Sequence, residues 1–188
     1  MAWLTKLAMA AAVGGGAAAG YLGLVSAALP LDVGIGRRTR PLGPQIIGIS
    51  APRDVVFEVI AQPYLGQTTR AMRQKVRVLE RGSDMVLATH FTPLADGRLK
   101  AVTVETVRFT APERVDFRLV RGPVPFVVES FVLTEHASET HLVYEGELAT
   151  DLWALGQCWG RLVARHWEET VATALTSLKQ EAERRTAR

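Results

Sequence analysis

The chain carries one cysteine, Cys158, in 188 residues. That excludes an internal disulfide and any metal site built on several thiolates. Histidine is scarce as well. The four, at 90, 136, 141 and 166, form neither an HxH nor an HExxH pattern, so no metal-ligand spacing is present. There is no nucleophile elbow and no phosphate loop, and the glycines of "DVGIGRR" (32–38) follow no convincing strand and open no helix. The sequence therefore implies no cofactor and no metal. An excess of one charge is lacking too: the formal net charge is +3, and basic residues are interleaved with acidic ones outside "RRTR" at 37–40. A nucleic-acid surface would need a concentrated basic face with stacking aromatics. None is visible, and no internal repeat is present.

Charge is missing altogether from Leu7 to Leu31, a run of 25 residues. As one helix it would rise about 37 Å, against a hydrocarbon core of about 30 Å. Gly16 and Gly20 stand at the four-residue spacing that lets membrane helices approach closely. Arg37, Arg38 and Arg40 follow, as a stop-transfer flank does. Residues 1–31 are thus expected to be a single-pass membrane anchor, and the balance of flanking cations places the globular part in the cytoplasm. The competing reading is a secretory signal peptide cleaved after "VSA" (25–27). Residues 32–44, rich in Gly, Pro and Arg, read as a linker, and 45–188 as one domain.

Within that domain, "APRDVVFEVIAQP" (51–63) has helical spacing and a proline at each end, Pro63 closing it. From Lys75 to Leu148 six β-rich runs alternate with turn clusters such as "RGSD", "TAPE" and "EHASE". Short connections favour an antiparallel meander. Residues from Leu152 to Arg185 form one long amphipathic helix, with Gly156, Trp159, Gly160, Val163, Trp167 and Val171 on its apolar arc. That arc needs a partner surface, and the antiparallel sheet is the only large one available.

"GQCWGRLVARHW" (156–167) raises the question of a Cys/His catalytic pair. On an unbroken helix, Cys158 and His166 lie about 12 Å apart along the axis and about 80° apart around it, beyond the reach of a nucleophile and its base. The segment is a wall. Gly156 and Gly160 either allow close backbone approach or leave room for a cavity flanked by the two tryptophans.

The order strand, helix, β meander, long terminal helix, with "RVDFRLVRGPVP" and "ETHLVYEGEL" (Thr140, Leu142, Tyr144, Gly146), resembles the START-related polyketide cyclase/dehydrase and lipid-transport (SRPBCC) superfamily over about residues 44–185. The resemblance implies an α+β helix-grip fold, a curved antiparallel sheet wrapped around the C-terminal helix over a hydrophobic cavity. It also implies a lipid or other hydrophobic small molecule as partner, and in some members cyclisation or dehydration. It carries no catalytic motif across.

The expected cavity lining is Phe117, Leu119, Phe131, Leu133, Leu142, Tyr144, Trp159, Val163 and Trp167. A buried acid or base would have to come from Glu105, Glu129, His90 or Tyr144. Glu129 shares a strand parity with Val127, Phe131 and Leu133; Tyr144 shares one with Leu142 and Leu148. Either face of "TVETV" could place Glu105 inside. The expected function is membrane-anchored binding of a hydrophobic small molecule or lipid. The alternatives are a cyclase/dehydratase acting on an aromatic or polyketide substrate, and an interaction module docked to a membrane-helix partner.

Overall fold

Alternation along the β-rich runs becomes the two faces of one sheet. The computed structural model describes residues 15–29, 31–66, 70–94, 97–137 and 139–187, with backbone only at 70 and 71. Its elements, in order, begin with helix α1, described over 15–25. Then come β1 (Arg38–Ile49), α2 (Arg53–Leu65), α3 (Arg70–Arg73), β2 (Val76–Arg81), β3 (Met85–Leu94), β4 (Leu99–Thr110), β5 (Arg114–Arg121), β6 (Phe126–His136), β7 (Glu139–Thr150) and α4 (Trp153–Thr186). The strands form an antiparallel sheet in the order β1-β7-β6-β5-β4-β3-β2. The α2–α3 segment crosses from one sheet edge to the other.

Each strand buries alternate residues. In β5, Val115, Phe117 and Leu119 are buried, while Arg114 and Arg118 face water. The register shifts between Leu42 and Gln45 in β1, and between Val104 and Glu105 in β4. Such irregularities bend a strand and raise its twist, which curls the sheet around α4. Gly43 supplies one bend with a φ of 78°, a conformation that glycine adopts without a Cβ penalty.

α2 buries Val56, Phe57, Ile60, Ala61 and Tyr64. Pro63 does not end it, contrary to the sequence expectation: the helix runs on to Leu65. A proline so near a helix end forfeits little backbone bonding, and the buried Tyr64 ring holds the last turn against the core. α4 buries Gly156, Gly160, Val163, Ala164, Val171, Leu175 and Ala182 against the sheet and α2. The glycines serve close approach. A Cβ on Gly156 would overlap the Asp151 carbonyl oxygen, and one on Gly160 would lie 3.0 Å from Thr150 Cγ2.

At the amino terminus the described residues lend the anchor expectation no support. Among the described residues no helix is long and apolar enough to cross a membrane. The charge-free run is not one rod: α1 ends in a turn at 26–29, where Ala27 takes a φ of 57° and Leu29 N–H returns to the Gly23 carbonyl. Val25 and Ala27 are buried against the domain. Residues 1–14 and Pro30 of the expected anchor lie outside the described residues. The segment read as a linker is ordered as well. Asp151, 5 % exposed, accepts the Val33 and Gly34 amides and Arg37 Nε, each at 2.8 Å, and from Arg38 onward the chain is strand β1.

Candidate functional site

A cavity of about 270 Å³ lies between the inner face of β3–β6 and the first half of α4. Phe117, Phe131, Trp159, Val163 and Trp167 line it, as read from the sequence. Four other residues named there do not. Leu119, Leu133, Leu142 and Tyr144 are buried in the solid core. They have the correct strand parity but the wrong position along their strands. Leu119 lies against Gly122, while Leu133 and Leu142 face each other in the β6–β7 register. His166 and Thr170 are on the lining as well, both at exposed positions of α4.

Helix α1 closes one side of this space. Tyr21 and Val25 belong to the lining, and the Tyr21 ring meets Trp159 edge-on at 6.0 Å. Arg121 holds the end of α1, donating to the Ala27 carbonyl at 2.6 Å and to that of Ala28 at 3.5 Å. A guanidinium suits the negative end of a helix.

Two polar groups interrupt the apolar wall. The first comes from β6, β7 and α4. Glu129 Oε2 accepts the Tyr144 hydroxyl at 2.8 Å and the Trp167 indole N–H at 2.7 Å. Its other oxygen, Oε1, has no hydrogen-bond partner among the described residues. Burial, reinforced by the nearby Glu105 charge, pushes the Glu129 carboxyl up to about 7. Burial followed by the Glu129 charge raises the Tyr144 phenol, which stays neutral. With Oε2 saturated by two donors, a proton on Glu129 sits on Oε1.

The second group joins α2, β3 and β4. Thr103 and Glu105 point inward from β4, and His90 stands opposite Thr103 in β3. The Thr103 hydroxyl donates to Glu105 Oε1 at 2.6 Å, and His90 Nδ1 lies 3.2 Å from Glu105 Oε2. That last approach is an ion-pair distance without hydrogen-bond alignment, so charge is what holds it. His90 Nε2 is 2.8 Å from the Tyr64 hydroxyl. Burial alone would lower the His90 value. The Glu105 charge, its contact and the Glu129 charge together outweigh burial and raise it. The same pairing, with the Thr103 bond, holds Glu105 low against its own burial. Both shifts favour the carboxylate–imidazolium state. In that state Nε2–H donates to the Tyr64 oxygen and leaves the phenol hydrogen free for the cavity. Burial, then the Glu105 and Glu129 charges, raise Tyr64 and keep it neutral.

Glu105, Glu129 and His90 thus converge on one space, whereas Tyr144 acts from behind Glu129. Sequence reasoning missed Tyr64 and Thr103. Tyr64 continues the Val56, Phe57, Ile60 stripe beyond Pro63, and that spacing is the signal that would have found it. Cys158 is exposed and lies outside the cavity, with Arg161 donating to its sulfur at 3.1 Å. Among the described residues no cluster of three or more potential metal ligands occurs.

No family model matches this sequence, and no curated protein matches it. Solved structures do. An aromatase/cyclase, Zhui, from a Streptomyces species superposes with a TM-score of 0.61 at 17% identity, over 79% of this chain and 95% of its own. The TTHA0849 protein of Thermus thermophilus gives 0.58 at 16% identity, over 77% and 97%. Norcoclaurine synthase from Thalictrum flavum, solved with dopamine and hydroxybenzaldehyde, gives 0.57 at 10% identity, over 77% and 86%. At such identities the likeness establishes architecture. The seven-stranded curved sheet closed over a long C-terminal helix is a helix-grip α+β fold.

Proposed function

We propose that the cavity binds a compact, largely apolar small molecule that carries at least one oxygen function. The observation that carries this reading is the wall itself: aromatic and aliphatic side chains from sheet and α4, interrupted by Glu129 and by the His90–Glu105 pair. Concave apolar sites with a few placed polar groups are where small ligands bind. A volume of about 270 Å³ is near the low end of the ~300–1,000 Å³ range for such sites. It favours a ring system over a long acyl chain. Neighbours of the same fold include an aromatase/cyclase and an enzyme seen with two small aromatic molecules, which supports the same class.

One observation favours a second reading, acid–base turnover of the cyclase or dehydratase kind. A carboxyl near neutrality with a free oxygen can both give and take a proton at physiological pH. In dehydration of a β-hydroxy ketone, Glu129 Oε1 would remove the proton from the carbon between the carbonyl and the carbinol. The Tyr64 hydroxyl would hydrogen-bond the carbonyl oxygen as the enolate forms. Glu129 would then return that proton to the hydroxyl as the C–O bond breaks, the C=C bond forms and water leaves.

Native mass spectrometry of full-length protein tests binding directly, first for a co-purifying molecule and then after addition of 2-naphthol, a neutral aromatic probe. Saturable binding that quenches tryptophan fluorescence and is lost in Val163→Trp, which fills the space, is the expected result. Absence of any bound molecule, or quenching indifferent to Val163→Trp, overturns the proposal. Turnover is tested separately by Glu129→Gln, which should retain binding while abolishing any reaction found.

A further inference from the structure

A second recess, of about 180 Å³, lies at the edge of the sheet, outside the cavity. Arg38 and Arg40 reach it from β1, and Arg161 from the third turn of α4. Thr39, Thr150 and Gln157 complete its polar lining. Strand parity explains the first pair: Arg38 and Arg40 are on the face of Leu42, which is core, so both turn toward α4 and not away from it. Gly160 lets the helix run close to Thr150, which brings Arg161 over the strand pair.

None of these guanidinium groups has a carboxylate partner among the described residues. Arg161 donates only to the Cys158 sulfur, a weak acceptor. The Arg40 Nε is buried and has no hydrogen-bond partner at all. Two carboxylates near these elements are committed elsewhere. Asp151 is taken by Arg37 and two amides, and Glu168 accepts the Gly43 N–H at 3.1 Å. A buried, unpaired donor on a charged group is costly, and three un-neutralised cations around one recess repel each other. Both penalties vanish if an oxyanion sits among them.

We propose that Arg38, Arg40 and Arg161 form an anion site for a phosphate group, independent of the small-molecule cavity. Planar forks with several N–H donors are suited to phosphate oxygens, and the Thr150 hydroxyl and Gln157 amide supply further contacts. The phosphate could come free from solution or on a lipid. The chain beside the recess bears on the second source: the Leu152 N–H donates to the Ile35 carbonyl and the Trp153 N–H to that of Gly36, next in sequence to the Arg38 and Gln157 segments, and the Ile35 and Trp153 side chains are both exposed. Exposed apolar side chains next to a cationic site are what a lipid headgroup region meets.

The test uses full-length protein. Inorganic phosphate is titrated by calorimetry. Flotation is measured with phosphatidylcholine vesicles alone, or containing phosphatidic acid or phosphatidylglycerol at matched surface charge. Saturable uptake of inorganic phosphate, weakened about tenfold or more in Arg161→Gln and Arg38→Gln, supports the site with free phosphate as its ligand. Flotation that prefers phosphatidic acid and is lost in the same variants supports it with a headgroup as the ligand. Arg165→Gln removes an equal charge one turn away, outside the recess, and should change neither result. Arg38 and Arg161 are exposed, so their replacement leaves folding intact, and melting curves check this. Failure of both phosphate and vesicles to bind overturns the proposal. So does binding that follows surface charge alone and survives Arg161→Gln.

Discussion

Gly146 stands directly opposite Glu129 in the β6–β7 ladder, so closely that a Cβ there would fall 2.7 Å from that of Glu129. Facing Cβ atoms in a regular antiparallel pair stay about 4.5–5.5 Å apart. The glycine is therefore what allows the sheet to curl tightly where the carboxyl enters the cavity. Gly146→Ala is expected to cost about 1–3 kcal/mol and to shift Glu129 off Trp167. Denaturant unfolding measures the first effect and the tryptophan emission maximum the second.

Glu129 also makes stability depend on pH. Its folded value of about 7 lies above the ordinary 4.5. Between these, the native state holds a proton that the unfolded chain does not, so stability falls as pH rises through that window and levels off above it. His90 acts in the same sense. Its value is raised above 6.5, so its contribution is complete below that pH and lost as pH climbs through the folded value. Melting temperatures from pH 5 to pH 9 should decline in the native protein. Glu129→Gln should flatten much of the slope, because Gln keeps an acceptor for Tyr144 and Trp167 but cannot ionise. An unchanged slope would place Glu129 in water and not in the wall.

How far this was readable from residues alone follows from two kinds of information. Strand parity is local, so alternation in "RVDFRLV" and "VVESFVL" is sufficient to turn Phe117, Glu129 and Phe131 inward. Parity does not say how far along the sheet a residue lies. For that reason Leu119, Leu133, Leu142 and Tyr144, with the correct face, belong to solid core and not to cavity. The His90–Glu105 pairing is diagonal across β3 and β4 and depends on register, which no spacing in one strand discloses. The amino-terminal run is a different case. Apolar side chains satisfy a cavity mouth as well as a bilayer, and hydrophobicity does not distinguish them.

Glu105 couples the two polar groups. In Glu105→Gln, His90 loses the charge that outweighs its burial, and its value should drop below the ordinary 6.5. Glu129 loses a neighbouring negative charge and should titrate lower as well, while burial keeps it above 4.5. Both movements are downward, and NMR titration of the imidazole and carboxyl resonances reads them independently. A His90 value that stayed high would mean that Glu105 is not its partner.

Position 156 separates packing from chemistry on α4. Gly156→Ala drives a methyl group into the Asp151 carbonyl, backbone against backbone, where neither can yield easily. The expected loss is about 3 kcal/mol or more. Cys158→Ser, two residues on and exposed, should leave stability within about 0.5 kcal/mol. It should also leave ligand binding unchanged, because the thiol lies outside the cavity. Thermal denaturation of the two variants gives the comparison.

The last prediction concerns access. α1 covers one side of the cavity yet is joined to the domain mainly at its end, where Arg121 caps the Ala27 and Ala28 carbonyls. A charge-assisted hydrogen bond contributes about 1.5–3 kcal/mol, so Arg121→Gln should raise the open population of α1 by about tenfold or more. The remainder of the sheet does not depend on that bond. Hydrogen exchange should therefore quicken over residues 15–29 and stay unchanged in β5, β6 and β7. Acrylamide should quench Trp159 more readily, because Tyr21 no longer shields its ring. Asp151→Asn provides the contrast, since it frees the chain farther on, at Val33, Gly34 and Arg37, and weakens the β7–α4 corner as well. It should lower global stability by about 2 kcal/mol and quicken exchange around 33–37. If Arg121→Gln left exchange in α1 unaltered, the helix would be held by its apolar face alone, and passage to the cavity would have to occur elsewhere.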